Sequence, residues 1–179
     1  LQRGQRVLIV GASGALGSIG VQYAKHIGAH VTAVCSGPNH EFVRSLGADE
    51  TIDYTKEDFT KRTLDDDQRF DAIYETVGKS SYNQSKHLMT ERGAFLPAVM
   101  RLPEVLQLVW TPLFSKRSVK SGVAMTNPEK LTTLIDIAKS GAVTPAIDSV
   151  YPFEDISQAH RHVDKGHKRG NVIVRISED

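Results

Sequence analysis

An α/β fold, a doubly wound parallel sheet of about six strands, is predicted by three features of this 179-residue sequence. Short apolar, β-branched runs alternate with amphipathic segments at the spacing of βαβ units. The first run, Val7-Leu8-Ile9-Val10, is apolar without alternation, as a strand covered on both faces must be. It feeds directly into Gly11-Ala12-Ser13-Gly14-Ala15-Leu16-Gly17, a glycine-rich turn set between a strand and a helix.

The elements follow in order. Residues 6–10 form the first strand, and the helix after the turn carries an expected buried stripe of Leu16, Ile19, Tyr23, Ala24 and Ile27 at three- and four-residue spacing. Gly28 closes that helix, and residues 30–35 form a second strand. A helix over 39–46 buries Phe42, Val43 and Leu46, stops at Gly47 and leads to a short strand near 51–54. A weak helical segment at 56–62 and the acidic loop 65–67 precede a strand over 70–77, ended by Gly78. Residues 80–89 read as helix, 93–100 as the fifth strand, and 102–113 as a helix or apolar loop bracketed by Pro103 and Pro112. A sixth strand is expected over 118–125. Asn127 followed by Pro128 starts a helix with the stripe Leu131, Leu134, Ile135 and Ala138, which Gly141 ends.

Residues 1–142 satisfy that sheet alone. The remainder, 143–179, predicts a strand near 149–151, a helix over 154–165 with Ile156, Ala159 and Val163 inward, and a strand over 171–176. It needs another surface to cover it. The expectation is a return segment that packs on a domain lying upstream, and a chain opening on Leu1 rather than methionine reads as a piece of a longer one.

Composition narrows the classes. A formal net charge of +1 gives no global field toward nucleic acid or an anionic membrane. No apolar stretch reaches the roughly 18 residues of a membrane span. Cys35 is the single cysteine, so neither an intramolecular disulfide nor a cysteine zinc cluster can form; its apolar strand points to a buried thiol in a reducing compartment. The expected location is the cytoplasm, with the mitochondrion as the alternative.

The turn carries the chemistry. A phosphate pair can rest on the amides of a helix N-terminus only where no side chain intervenes, and Gly14 removes the Cβ at the closest approach. Gly11 permits the tight turn, and Gly17 lets the helix pack close to the strand. Ala12, Ser13, Ala15 and Leu16 complete the expected dinucleotide clamp.

Together with this turn, the runs Val31-Thr-Ala-Val-Cys-Ser36, Val43-Arg-Ser-Leu-Gly-Ala-Asp49, Ile52-Asp-Tyr54, Val143-Thr-Pro-Ala-Ile-Asp148, Tyr151-Pro-Phe153 and Gly166-His-Lys-Arg-Gly170 resemble the medium-chain dehydrogenase/reductase superfamily. The branch they are most similar to is the zinc-free quinone oxidoreductase and enone reductase group, which includes the mitochondrial reticulon-interacting reductases. The resemblance covers nearly the whole chain. It implies a Rossmann-type nucleotide domain, a barrel-like GroES-type substrate domain upstream, and a C-terminal return into that domain. It also implies reduction of quinones, enones or related carbonyl compounds by hydride from NAD(P)H, and a homodimer paired through the sheet edge. Zinc ligands, where the superfamily has them, belong to the upstream domain, so no metal is expected in this chain.

An Asp or Glu at the end of the second strand would bind the adenosine ribose of NAD. Here that strand ends in Cys35 and Ser36, which favours NADP(H) over NAD(H), with Ser36 and Asn39 as uncharged donors. Tyr54 resembles a tyrosine that lines the phosphate pocket of the quinone reductases, while the basic residue those enzymes often carry near position 39 is missing. The nicotinamide end is expected near Thr76, Val77 and Gly78, with Val99 and Met100 after the fifth strand. Hydride transfer to a quinone or enone asks little acid or base of the protein, so no catalytic residue is assigned.

Other patterns have plainer explanations. Tyr82 and Lys86 match the Tyr-x-x-x-Lys pair of short-chain dehydrogenases but sit too early in the chain and read as a surface coincidence. His160 and His162 lie two apart on a helix and face different directions, so with His167 they make no metal cluster. Lys165, His167, Lys168 and Arg169 crowd a helix C-terminus, where the helix dipole favours positive charge; contact with a cofactor phosphate is a secondary reading. Two alternatives stay open: the cofactor domain of a zinc-dependent alcohol dehydrogenase, and a nucleotide-binding sensor or scaffold without catalysis.

Overall fold

A computed structural model describes residues 1–100, 102–121, 128–166 and 168–177. Six parallel strands form one sheet in the order β3-β2-β1-β4-β5-β6: β1 Arg6–Val10, β2 His30–Cys35, β3 Glu50–Asp53, β4 Phe70–Glu75, β5 Met89–Pro97 and β6 Ser118–Val119. The helices are α1 Ala15–Ile27, α2 His40–Ser45, α3 Tyr82–Ser85, α4 Leu102–Phe114, α5 Pro128–Lys139 and α6 Ile156–Asp164, and β7 Ile147–Pro152 pairs in parallel with β8 Asn171–Arg175 in a separate two-stranded sheet.

The unalternating first strand is covered on both faces. Val7 and Ile9 join Val21, Ala24, Val31, Ala33 and Val43 on the side of α1 and α2. Leu8 and Val10 join Val34, Ile52, Ile73, Tyr82, Leu88 and Phe95 on the other. Each fully buried side chain of this size contributes about 1.5–3 kcal/mol of transfer free energy. Because strand order reverses between β1 and β4, the carboxyl ends of these strands open a crevice at Val10 and Glu75.

Several expectations are corrected. Helix α1 buries Gly17, Ser18, Val21, Gln22 and Ala24, whereas Leu16, Ile19 and Tyr23 are exposed and line an apolar groove of about 900 Å³ with Ile9, Tyr74 and Leu134. The sheet face selects small residues because the helix lies very close to it. The 39–46 helix is a 3-10 turn at Gly37–Asn39 followed by α2, and of the three expected apolar residues Val43 is buried while Phe42 and Leu46 pack at the margin. At 56–62 only Phe59–Lys61 forms a 3-10 turn, and 80–89 divides into α3 and a 3-10 turn at Lys86–Leu88. Strand β5 begins at Met89 and ends at Pro97, so Val99 and Met100 lie beyond it. The sixth strand is two residues long; its expected continuation at 122–125, and Asn127, fall outside the described residues. Tyr82 is a core residue, its ring edge-on to Phe95 at 6.2 Å, while Lys86 is exposed. In the tail Ala159 is buried, whereas Ile156 and Val163 remain exposed.

A charged network closes the amino ends of β1, β2 and β3. Asp49 accepts from Lys25 Nζ at 2.8 Å and from the Val31 amide at 2.7 Å, and Glu50 meets His30 at 2.8 Å. Burial alone would raise the Asp49 carboxyl, but the bonds from Lys25 and Val31 outweigh it and hold it below the usual carboxylate range. A depressed folded-state value adds stability above the unfolded value of about 4 and loses it as pH falls through the folded one. Asp49→Asn is therefore expected to lower stability at pH 7, with the difference from wild type shrinking below about pH 4. Urea unfolding at several pH values checks this, and a difference that does not vary with pH counts against it.

Candidate functional site

The turn after β1 is shaped by backbone contacts. Gly11 has φ +78°, and a Cβ there would lie 2.3 Å from Val77 Cγ2 and 2.6 Å from Thr76 Oγ1. Gly17 is more constrained: its Cβ would fall 2.2 Å from the Gly11 carbonyl oxygen and 2.6 Å from Ala12 Cα. Gly14 differs from both. It caps α1 in extended conformation, φ −78° and ψ 179°, with no side chain bonded to the helix end, and a Cβ would meet only the Gly11 oxygen at 3.4 Å. The fold itself leaves room for a Cβ at Gly14. The amides of Leu16 and Gly17 have no partner within the helix, while the parallel bridge of Gly14 to Gly170 engages the Ala15 amide from outside it.

Beside the turn, the end of β2 carries a polar cluster. Asn39 is buried, and its Nδ2 donates to Ser13 Oγ at 3.2 Å and to Ser36 Oγ at 3.1 Å. Tyr54 follows β3 and is 54% exposed. Across the switch point, Thr76 Oγ1 donates to the Val10 carbonyl at 2.7 Å, and Gly78 abuts Val99, whose side chain lies 3.6 Å from where a Gly78 Cβ would be. Val77 and Val99 are both half exposed, and Met100 follows in the chain. The predicted residues thus assemble along one sheet edge, at the ends of β1 to β5.

Three participants escape sequence reasoning. Glu75, 2% exposed at the end of β4, accepts from the amides of Val77 and Gly78 at 2.9 and 3.0 Å and fixes the loop they belong to. Its signal is a carboxylate closing an apolar strand. Asp53 is brought next to the end of β2 by the register Cys35↔Asp53. Bonds from the Thr55 hydroxyl and amide, with one from the Gly37 amide, hold its carboxyl below the usual range and direct it into the loop. Burial, with Asp53 adding, pushes the Cys35 thiol up to about 11, so it stays neutral.

The third participant is the tail. Gly170 N donates to Ser13 O at 2.8 Å in a parallel bridge to Gly14. Arg169 Nε donates to Asn39 Oδ1 at 2.7 Å, and its Nη2 to the Pro38 carbonyl at 2.9 Å. Gln22 pairs with the Thr144 peptide in both directions, each at 2.9 Å. The tail therefore reaches the glycine turn and places a guanidinium beside Asn39. Arg169 thus bonds the polar cluster as well as following a helix end, the first of its two expected roles.

Comparison with known proteins matches the family model described as "Zinc-binding dehydrogenase" over residues 46–174. The bovine (Bos taurus) protein named "NAD(P)H oxidoreductase RTN4IP1, mitochondrial" is 33% identical over 97% of this chain and 48% of its own length. The "Medium chain reductase pydE" of Acremonium sp. is 32% identical, covering 97% of this chain and 52% of that protein. The quinone oxidoreductase structure from Coxiella burnetii superposes with TM-score 0.83 and 25% identity, over 98% of this chain and 54% of that one. The chain spans about half the length of the curated relatives it matches.

The family description carries zinc. Among the described residues no group of three or more His, Cys, Asp or Glu stands where it could hold a metal ion. His162 is engaged by Tyr151 and Asp148, His160 is exposed, and His167 lies outside the described residues. The described residues do not fit a metal. Among the described residues no helix is long and apolar enough to cross a membrane.

Proposed function

The chain belongs to the zinc-binding dehydrogenase family of medium-chain oxidoreductases, and from that premise we propose that it is the cofactor-binding part of an NADPH-dependent reductase of quinones, conjugated enones or related carbonyl compounds. The observation that carries this reading is the uncapped helix end behind Gly14, set at the sheet's switch point, with the uncharged Ser36 and Asn39 following β2 in the chain.

In this reading the amides of Leu16 and Gly17 hold the pyrophosphate, Ser36, Asn39 and Tyr54 border the adenosine ribose, and the loop Thr76, Val77 and Gly78 forms a wall with Val99 and Met100 that shields the nicotinamide ring from water. When bound, the reduced nicotinamide supplies the hydride. Glu75 keeps that wall in place by occupying the amides of Val77 and Gly78. A quinone or enone is already polarised for attack, so this chain supplies orientation without an acid or base.

The same reading gives residues 1–142 as the dinucleotide domain and 143–179 as a return onto a substrate domain upstream, with Ile147, Val150, Phe153 and Ile156 as exposed apolar docking positions. Two copies would pair through the sheet edge at β6. The setting is a reducing compartment, cytoplasm or mitochondrion, in keeping with the single cysteine. Calorimetric titration tests cofactor choice: NADPH is expected to bind about 10-fold more tightly than NADH, a difference of about 1.4 kcal/mol. The reverse order refutes it.

A further inference from the structure

We propose that the outward face of α4 is a contact for an anionic membrane surface, on which the helix lies without crossing it. This contact is separate from the reductase reading and does not depend on it. A helix at the surface of a domain ordinarily turns its apolar stripe inward and its polar side chains to water. In α4 the two faces are exchanged. The inward stripe is Glu104, Gln107, Leu108 and Thr111, with Glu104 1% exposed and Thr111 buried. The outward stripe is Leu102, Val105, Leu106 and Trp110, with Leu102 74% and Trp110 61% exposed. At about 3.6 residues per turn the two stripes stand on opposite sides of the helix. A polar contact fixes this facing: Thr111 Oγ1 donates to the Gln107 carbonyl at 2.7 Å and accepts the Val119 amide at 3.0 Å, which ties the helix to β6. Rolling α4 to bury Leu106 would break that tie.

What covers such a face is set by its size and its charge. Four side chains give a patch on the order of 400 Å², about half of the roughly 800 Å² that each partner gives to a stable protein complex. A lipid surface needs no complementary shape. From residue 98 to residue 120 the sequence carries one acid, Glu104, which is turned inward, and four cations, of which Lys116, Arg117 and Lys120 follow the helix. Lys116 is held only by an exposed pair with Glu91 at 2.9 Å, a contact of little strength in water. The formal charge of +1 for the whole chain hides this local excess. Two copies joined through α4 would set the positive margin against itself, whereas anionic headgroups compensate it. Trp110 beside leucines suits the headgroup boundary, where an apolar ring with one N–H is favoured. With 13 residues, about 20 Å, α4 lies on a bilayer and is too short to span one.

Trp110 is the single tryptophan of the chain, so its fluorescence reports this face alone. The whole chain is titrated with vesicles of phosphatidylcholine, alone or mixed with phosphatidylglycerol. With the anionic vesicles the emission is expected to shift to the blue, to be quenched by bromine on the acyl chains and to lose its access to aqueous iodide. Leu106→Gln should weaken this binding about 10-fold and Lys116→Gln about 5-fold, while neutral vesicles bind about 10-fold more weakly and do not sense the lysine. Both positions are exposed, and circular dichroism checks that the fold is kept. Should Leu106→Gln not fold, Leu102→Gln takes its place. A blue shift that grows with protein concentration and needs no lipid assigns the face to a second copy and overturns the proposal. So do an emission unmoved by anionic vesicles, equal affinity for neutral ones, and wild-type affinity in the leucine variant. Vesicle binding that is lost in a longer protein carrying these residues, where further chain covers α4, overturns it as well.

Discussion

Gly14→Val is expected to reduce dinucleotide affinity at least about 100-fold, roughly 2.7 kcal/mol, in a protein that still unfolds cooperatively near the wild-type temperature. The extended backbone at residue 14 is open to any L-residue, and a Cβ there meets only one carbonyl oxygen at 3.4 Å. The cost to the fold is therefore a cap change worth about 1 kcal/mol. A branched side chain over the first amides of α1 would, however, stand where a pyrophosphate oxygen must approach. Calorimetry on the variant, beside its circular dichroism, separates the two effects. Unchanged affinity for both NADPH and NADH would remove the phosphate cradle from the reading.

Gly17→Ala is expected to act in the opposite way, by damaging the fold before binding can be measured. Its Cβ would sit 2.2 Å from the Gly11 oxygen, and neither that atom nor Ala12 Cα belongs to a flexible side chain that could rotate away. Relief requires lifting α1 from β1, which opens the cluster that joins Val21 and Ala24 to Val7 and Ile9. Overpacking costs about 1–3 kcal/mol where side chains can adjust, so about 3 kcal/mol or more is expected here. Chemical denaturation measures it, and a loss below about 1 kcal/mol would mean that the helix seats less tightly than the contacts imply.

Both predictions concern a motif fully legible in the sequence, since glycine spacing encodes backbone approach directly. The bounds of β1 and β2 were legible for a related reason: a strand buried on both faces leaves an unbroken apolar run. The facing of α1 was not. Leu16, Ile19 and Tyr23 recur with helical period, but a helix held this close to a sheet admits only Gly17, Val21 and Ala24 at the contact, and the larger side chains turn to the groove. Periodicity identifies a helix without saying which of two apolar faces is the inner one. The sequence places the start of β5 late because Thr90, Glu91 and Arg92 are polar, though the backbone pairs from Met89 with a register shift. Beside the turn, Asp53 arrives through strand register and Arg169 through the course of the tail, which no local pattern records.

The bridge between Gly14 and Gly170 has a consequence for the order of synthesis. The glycine motif leaves the ribosome well before the backbone that borders it on the far side and the guanidinium beside Asn39. A nascent chain that has already folded its sheet still lacks that border until residues 169 and 170 emerge.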